Sequence, residues 1–182
     1  MQAAQRLGDR LGEATALNDL GDVRRLTDDY PRAAEALGTA LGIFVDLGDQ
    51  LGQASALTGL GAVRRLTGDY PGAADALEAA LGIFVDLSNR LGQVRALTGL
   101  GAVRQLTGDY PGAGEALEAA LGISRDLGDQ LGQASALTGL GALRQLTGNY
   151  PRAAEALEAA LGIYRSTGYR HGEAEVLNEV GR

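Results

Sequence analysis

Residues 51–90 read LGQASALTGLGAVRRLTGDYPGAADALEAALGIFVDLSNR. Between Gly52 and Thr67 the apolar residues Ala54, Leu57, Leu60, Val63 and Leu66 recur at helical spacing. Gly68 predicts a stop, because glycine enters the left-handed conformation without a Cβ clash. Asp69 suits the cap of a second helix, and Pro71 falls in its first turn, where no N–H is missed. That helix runs from about Tyr70 to Leu87, with Ala73, Leu77, Ala80, Leu81 and Phe84 as its apolar stripe. The stretch predicts an antiparallel hairpin of two helices, each roughly 16 residues or ~24 Å long.

The hairpin is written four times. Leu11, Leu51, Leu91 and Leu131 open successive blocks, and Tyr-Pro recurs at residues 30, 70, 110 and 150. Gly48–Ala62 is identical to Gly128–Ala142, which points to recent duplication or to idealisation. The blocks are 11–50, 51–90, 91–130 and 131–170. Residues 1–10 align with the end of a second helix, and 171–182 with part of a fifth first helix. First helices are expected at 11–26, 51–66, 91–106, 131–146 and 171–182, second helices at 30–47, 70–87, 110–127 and 150–167. One hairpin cannot bury both its faces, but stacked neighbours can. The expectation is all-α: one array over 1–182, forming a right-handed superhelical solenoid of antiparallel helical hairpins.

Composition narrows the function. The chain has 28 glycines in 182 residues, which would suggest disorder if most did not fall at recurring positions. Its basic residues are all arginine, and the formal net charge is −7. A net acidic chain is a poor prospect for nucleic acid or an anionic membrane. Without cysteine there are no disulfides, thiolate metal sites or cysteine nucleophiles, and the single histidine, His171, precludes a multi-histidine centre. No apolar run is long enough to span a membrane, and the N-terminus lacks a signal peptide's segments, so the expected compartment is the cytoplasm. Chemically able residues do not cluster outside the repeat, so no enzyme, catalytic residue, cofactor or metal is expected.

The repeated set Leu57, Leu60, Gly61, Ala73, Leu77 and Ala80 resembles the tetratricopeptide repeat (TPR), as do its counterparts starting at Leu17, Leu97 and Leu137. The period of 40 is similar to the longer-repeat branch that includes kinesin light chain. The family's first-helix aromatic is replaced by Arg24, Arg64, Arg104 and Arg144, and its closing proline by Val45, Val85, Ser124-Arg125 or Tyr164-Arg165. In composition the chain looks most like TPR arrays of bacterial multidomain regulators, so it is expected to be a segment of such a regulator. The resemblance implies a non-enzymatic interaction scaffold that binds a peptide or partner helix in a concave groove lined by first helices.

Carried onto this chain, the groove residues are Asn18, Asp22, Arg25, Ser55, Thr58, Arg65, Arg95, Thr98, Gln105, Thr138 and Gln145, with Thr15, Ser135, Glu175, Asn178 and Arg182 on the same faces. Within each helix their spacing puts them on one side. Arg25, Arg65 and Arg95 concentrate positive charge, which suits a protein or peptide with acidic side chains. The arginine ladder at 24, 64, 104 and 144 is read as structural, its stems packing and its heads paired with carboxylates such as Asp46, Asp86 or Asp126. His171 and Glu175 do not suffice for a metal site. The alternative function is a self-assembly module whose open repeat ends associate head to tail.

Overall fold

In the computed structural model the described residues run from 2 to 180, and the described side chains are those of 8–174 and 176–178. The helices are α1 (Gln2–Leu26), α2 (Tyr30–Leu47), α3 (Gln50–Thr67), α4 (Tyr70–Asp86), α5 (Arg90–Thr107), α6 (Tyr110–Leu127), α7 (Gln130–Leu146), α8 (Tyr150–Thr167) and α9 (Arg170–Val180). No strand occurs among the described residues. The chain divides into two compact units, Met1–Gly92 and Gln93–Arg182. In the first, α1 pairs with α2, α2 packs on α3, α3 pairs with α4, and α1 lies beside α3. In the second, α6 packs on α7, α7 pairs with α8, α8 packs on α9, and α7 lies beside α9. Helical hairpins therefore pack in sequence within each unit.

Each core is built by a leucine of a second helix inserted between two first helices. In the first unit Leu37 is fully buried and clusters with Ala33, Leu60 and Val63. A Cβ on Gly21 of α1 would lie 2.5 Å from Leu37 Cγ, and one on Gly59 of α3 would lie 2.8 Å from its Cδ2. Glycine inside a helix costs about 1 kcal/mol against alanine. Here it lets the leucine fill the space at the density of a protein interior. Leu117 does the same in the second unit, against Gly101 and Gly139.

The turns follow their sequence signals. Gly48, Gly68, Gly128 and Gly168 end second or first helices with φ of 68°, 86°, 68° and 71°. Asp28 and Ser88 hold the equivalent left-handed positions at φ 60° and 53° although neither is glycine. Asp49, Asp69, Asp109 and Asp129 each accept a hydrogen bond from the amide three residues on, satisfying a donor the helix leaves unpaired.

The beginning of the chain differs from expectation. Residues 1–10 are expected as the end of a separate second helix, but α1 runs without a break from Gln2 to Leu26. Leu7-Gly8-Asp9 copies the turn Leu47-Gly48-Asp49, yet it is helical. At the turn that does form, Phe44 lays its ring on Gly52 and holds the α2 end against α3. Helix propagation adds a bond for each residue fixed, and the glycine signal alone does not stop α1. At the other end α9 covers most of the expected 171–182, and residues 181 and 182 lie outside the described residues.

Candidate functional site

The first-helix face is set by the packing just described. A first helix turns its leucines and glycines towards second helices, so residues on another side, at Asn18, Ser55 and their counterparts, come to the neighbouring first helix. In the first unit Asn18 is 9% exposed and its Nδ2 donates to Ser55 Oγ at 3.4 Å, bridging α1 and α3. Asn18 Oδ1 is buried and has no hydrogen-bond partner. Asp22 and Arg25, one and two turns further along α1, pair with each other at 3.4 Å and are half-buried. Thr58, also half-buried, donates its hydroxyl back to Ala54 O at 2.8 Å.

Arg65 is half-buried on α3. It and Arg25 both act on Tyr30 at the start of α2, favouring its ionised form. The opposing effect is larger. The Tyr30 hydroxyl donates to Asp28 Oδ1 at 2.6 Å, and this bond first of all holds its pKa above the usual phenol value. The sequence does not reveal this contact, although Asp28 signals something unusual by standing where Gly68, Gly108 and Gly148 stand.

In the second unit, Thr98 and Thr138 donate to Val94 O and Ala134 O, at 2.8 and 2.9 Å. Gln105 Nε2 donates to Gly139 O at 2.9 Å, tying α5 to α7. Gln145 is half-buried and Arg95 is exposed. Much of the candidate face is therefore engaged within the protein. Threonine hydroxyls serve their own helices, and Asn18 and Gln105 join neighbouring first helices. Arg182 and the side chain of Glu175 lie outside the described residues.

The arginine ladder has a different partner from the one expected. Arg24, Arg64, Arg104 and Arg144 each donate through a terminal guanidinium nitrogen to the carbonyl eight residues on, at 3.2, 2.9, 3.1 and 3.1 Å. Arg64 and Arg104 also lie 3.9 Å from the capping carboxylates Asp69 and Asp109. Asp46, one expected partner, pairs instead with Arg10 at 2.9 Å. A carbonyl at the start of a helix carries no sequence signature, so the pairing is invisible before folding. The ladder clamps each hairpin's two helices together. Arg64→Ala should lower stability by about 1 kcal/mol in urea unfolding.

The tyrosines opening the second helices are half-buried at 30 and 70 and exposed at 110 and 150. Tyr164 is buried; the Tyr169 ring lies tilted beside it, centroids 5.6 Å apart, and stays exposed, and His171 meets Tyr169 edge-on. The second-helix carboxylates Glu35, Asp75, Glu115, Glu118, Glu155 and Glu158 are exposed. No group of three or more metal-ligating side chains occurs among the described residues. No helix searched there is long and apolar enough to cross a membrane.

The tetratricopeptide-repeat family model matches residues 13–84 and 92–166. The chain belongs to this family. TPR domains generally mediate protein–protein interaction and are typically non-enzymatic. Solved structures agree on the fold. BtubC (BKLC) from P. vanneervenii superposes with a TM-score of 0.73 at 20% identity, over 85% of this chain and 64% of that one. The chain thus spans less than two thirds of BtubC. Kinesin light chain nearly identical TPR-like repeats from Podosopora anserina give a TM-score of 0.69 at 17% identity, over 93% and 94% of the two chains. No curated protein matches the chain in sequence.

Proposed function

We propose that this TPR chain is a non-enzymatic scaffold that binds a peptide or partner helix on its first-helix face, with the α1–α3 face of the first unit as the anchor. The observation carrying this reading is Asn18 Oδ1, a buried acceptor without a donor. An unpaired buried acceptor costs roughly 1–3 kcal/mol, and a ligand that draws the Asn18 amide outward onto its own N–H recovers part of that cost. Arg25 sits two turns further along the same helix face, weakly paired to Asp22. A partner carboxylate could take the guanidinium from Asp22 and gain a forked contact. The partner is accordingly an acidic peptide or helix, and its affinity falls as salt rises.

A peptide library displayed on phage and selected on the full chain tests this. The expected binders carry acidic side chains, and they bind Asn18→Ala and Arg25→Ala/Arg65→Ala at least about tenfold more weakly, the scale of one lost charge-assisted bond. Binders that ignore both variants would move the site elsewhere.

A further inference from the structure

Asp22 breaks the repeat, because Ala62, Ala102 and Ala142 stand at its position in the other three blocks. In block two Arg65 stands three residues after an alanine, so the hairpin does not need the carboxylate. Yet Asp22 meets the cation that the proposed groove uses. Arg25 Nε donates to Asp22 Oδ1 at 3.4 Å, longer than the usual N–H···O range, with side-chain exposures of 27% and 49%. An exposed pair of this kind contributes little to stability. A second acid is confined to the same block. Asp28 stands where Gly68, Gly108 and Gly148 stand, and it accepts from the Tyr30 hydroxyl at 2.6 Å. Asp28, Arg25 and Arg65 all act electrostatically on that phenol. Two carboxylates therefore balance two guanidinium groups carried by the last turns of α1 and α3 and the turn after α1.

We propose that Asp22 sets the specificity of this site: it occupies Arg25 in the free protein, so that isolated acidic side chains are turned away and adjacent acidic pairs are taken. This deepens the groove reading above and rests on it. A lone ligand carboxylate that displaces Asp22 exchanges one carboxylate for another. The displaced one stays nearby and repels it. An adjacent pair directs one carboxylate to Arg25 and the other towards Arg65, where alanine stands at position 62. The competition from Asp22 then falls on only one of the ligand's two charges. Geometry adds to the selection, because a ligand carboxylate that meets the guanidinium edge-on makes two short bonds, where Asp22 makes a long one to Nε. Acidic peptides with paired Asp or Glu are accordingly the ligand class.

Two labelled peptides of glutamate and serine test this by fluorescence anisotropy on the full chain at low salt. They share composition and net charge; in one the glutamates stand in adjacent pairs, in the other each is isolated. Wild type is expected to prefer the paired peptide by about threefold, the scale of one exposed ion pair. Asp22→Ala should tighten the isolated-glutamate peptide by about threefold and so erase the preference. It places alanine where the other blocks already have it, so the helical circular dichroism is retained. Asp75→Ala removes the same charge from the exposed face of α4 and should leave the preference unchanged. On an Arg25→Ala background Asp22→Ala should change nothing, because its effect runs through that guanidinium. The proposal is overturned if wild type binds both peptides equally, if Asp22→Ala leaves the preference intact, if Asp75→Ala erases it as well, or if the Asp22 effect survives the loss of Arg25. The groove reading itself fails, and this inference with it, if neither peptide binds wild type or if both bind Arg25→Ala/Arg65→Ala as tightly as wild type.

Discussion

The α2–α3 and α6–α7 junctions share a backbone and differ in what fills it. In both, a left-handed glycine, Gly48 or Gly128 at φ 68°, ends the second helix. In both, an aspartate caps the next helix, and Gln53 or Gln133 donates to the carbonyl of residue 44 or 124 at 3.3 Å. In the first junction Phe44 lies on Gly52. In the second a fully buried serine, Ser124, faces Gly132 and turns its hydroxyl to Ala120 O at 2.7 Å. The chain path is therefore set by caps and the glycine turn, while the ring contributes burial.

The most severe test of that division is Phe44→Ser. It should cost about 3–4 kcal/mol, the range for emptying an aromatic site in a core, yet keep the helix boundaries seen by amide exchange. Should protection at Asp49 to Gly52 vanish while α1 and α2 stay protected, the ring would be directing the turn as well. The reverse exchange, Ser124→Phe, gives a smaller effect. Burying a ring there stabilises by about 1–2 kcal/mol if the site opens, since burial of a large apolar side chain contributes up to about 3 kcal/mol less the strain of overpacking. Val94 decides the sign. It is buried in the cluster of Leu117, Ala120 and Leu121, where Ala14, Ala54 and Ala134 stand in the other blocks. A loss in urea unfolding would mean that Val94 already fills the ring's place.

A third junction sharpens the comparison. Between α4 and α5 the glycine is replaced by Ser88, which still takes φ 53°, and α4 ends one residue earlier than α2, at Asp86. A left-handed non-glycine residue costs roughly 1–2 kcal/mol. Ser88→Gly should regain about 0.5–1 kcal/mol of this after the added freedom of the unfolded chain is subtracted. Its measure is a higher denaturation midpoint with an unchanged slope. Asp28→Gly should gain less, because Asp28 also holds the Tyr30 hydroxyl.

These junctions also explain how much of the structure can be read from the sequence. Gly68, Asp69 and Pro71 act within a few residues, so the hairpin boundaries are legible almost to the residue. Leu7-Gly8-Asp9 misleads because the same three residues turn at Gly48 and stay helical in α1, so the local signal does not by itself decide the turn. The small polar character of the first-helix face is legible in Asn18, Ser55 and Thr58. Their engagements are not, since the Thr58 hydroxyl turns to its own backbone and Asn18 reaches a residue 37 positions away. The ladder's regularity correctly suggests a structural role at Arg64, but its acceptor is a backbone carbonyl that no side-chain pattern can announce.

The mildest substitution tests whether caps alone can be traded. Gly72 donates its amide to Asp69 Oδ1 at 3.0 Å, and a Cβ at Gly72 would collide with that carboxylate. Two of the other hairpins already contain the alternative. Arg32 and Arg152 occupy this position in α2 and α8, and there Asp29 and Asn149 make no side-chain cap bond. Arg32 compensates by pairing with Asp29 at 3.4 Å. Gly72→Ala therefore exchanges a cap of about 1 kcal/mol for a helix propensity gain of about 1 kcal/mol. The net change in stability should lie within about 0.5 kcal/mol, the ordinary range of surface substitutions. Gly72→Arg should do slightly better by pairing with Asp69 as Arg32 does with Asp29. A clear loss in either variant would mean that the Asp69 cap, unlike the residue at position 72, is needed to start α4.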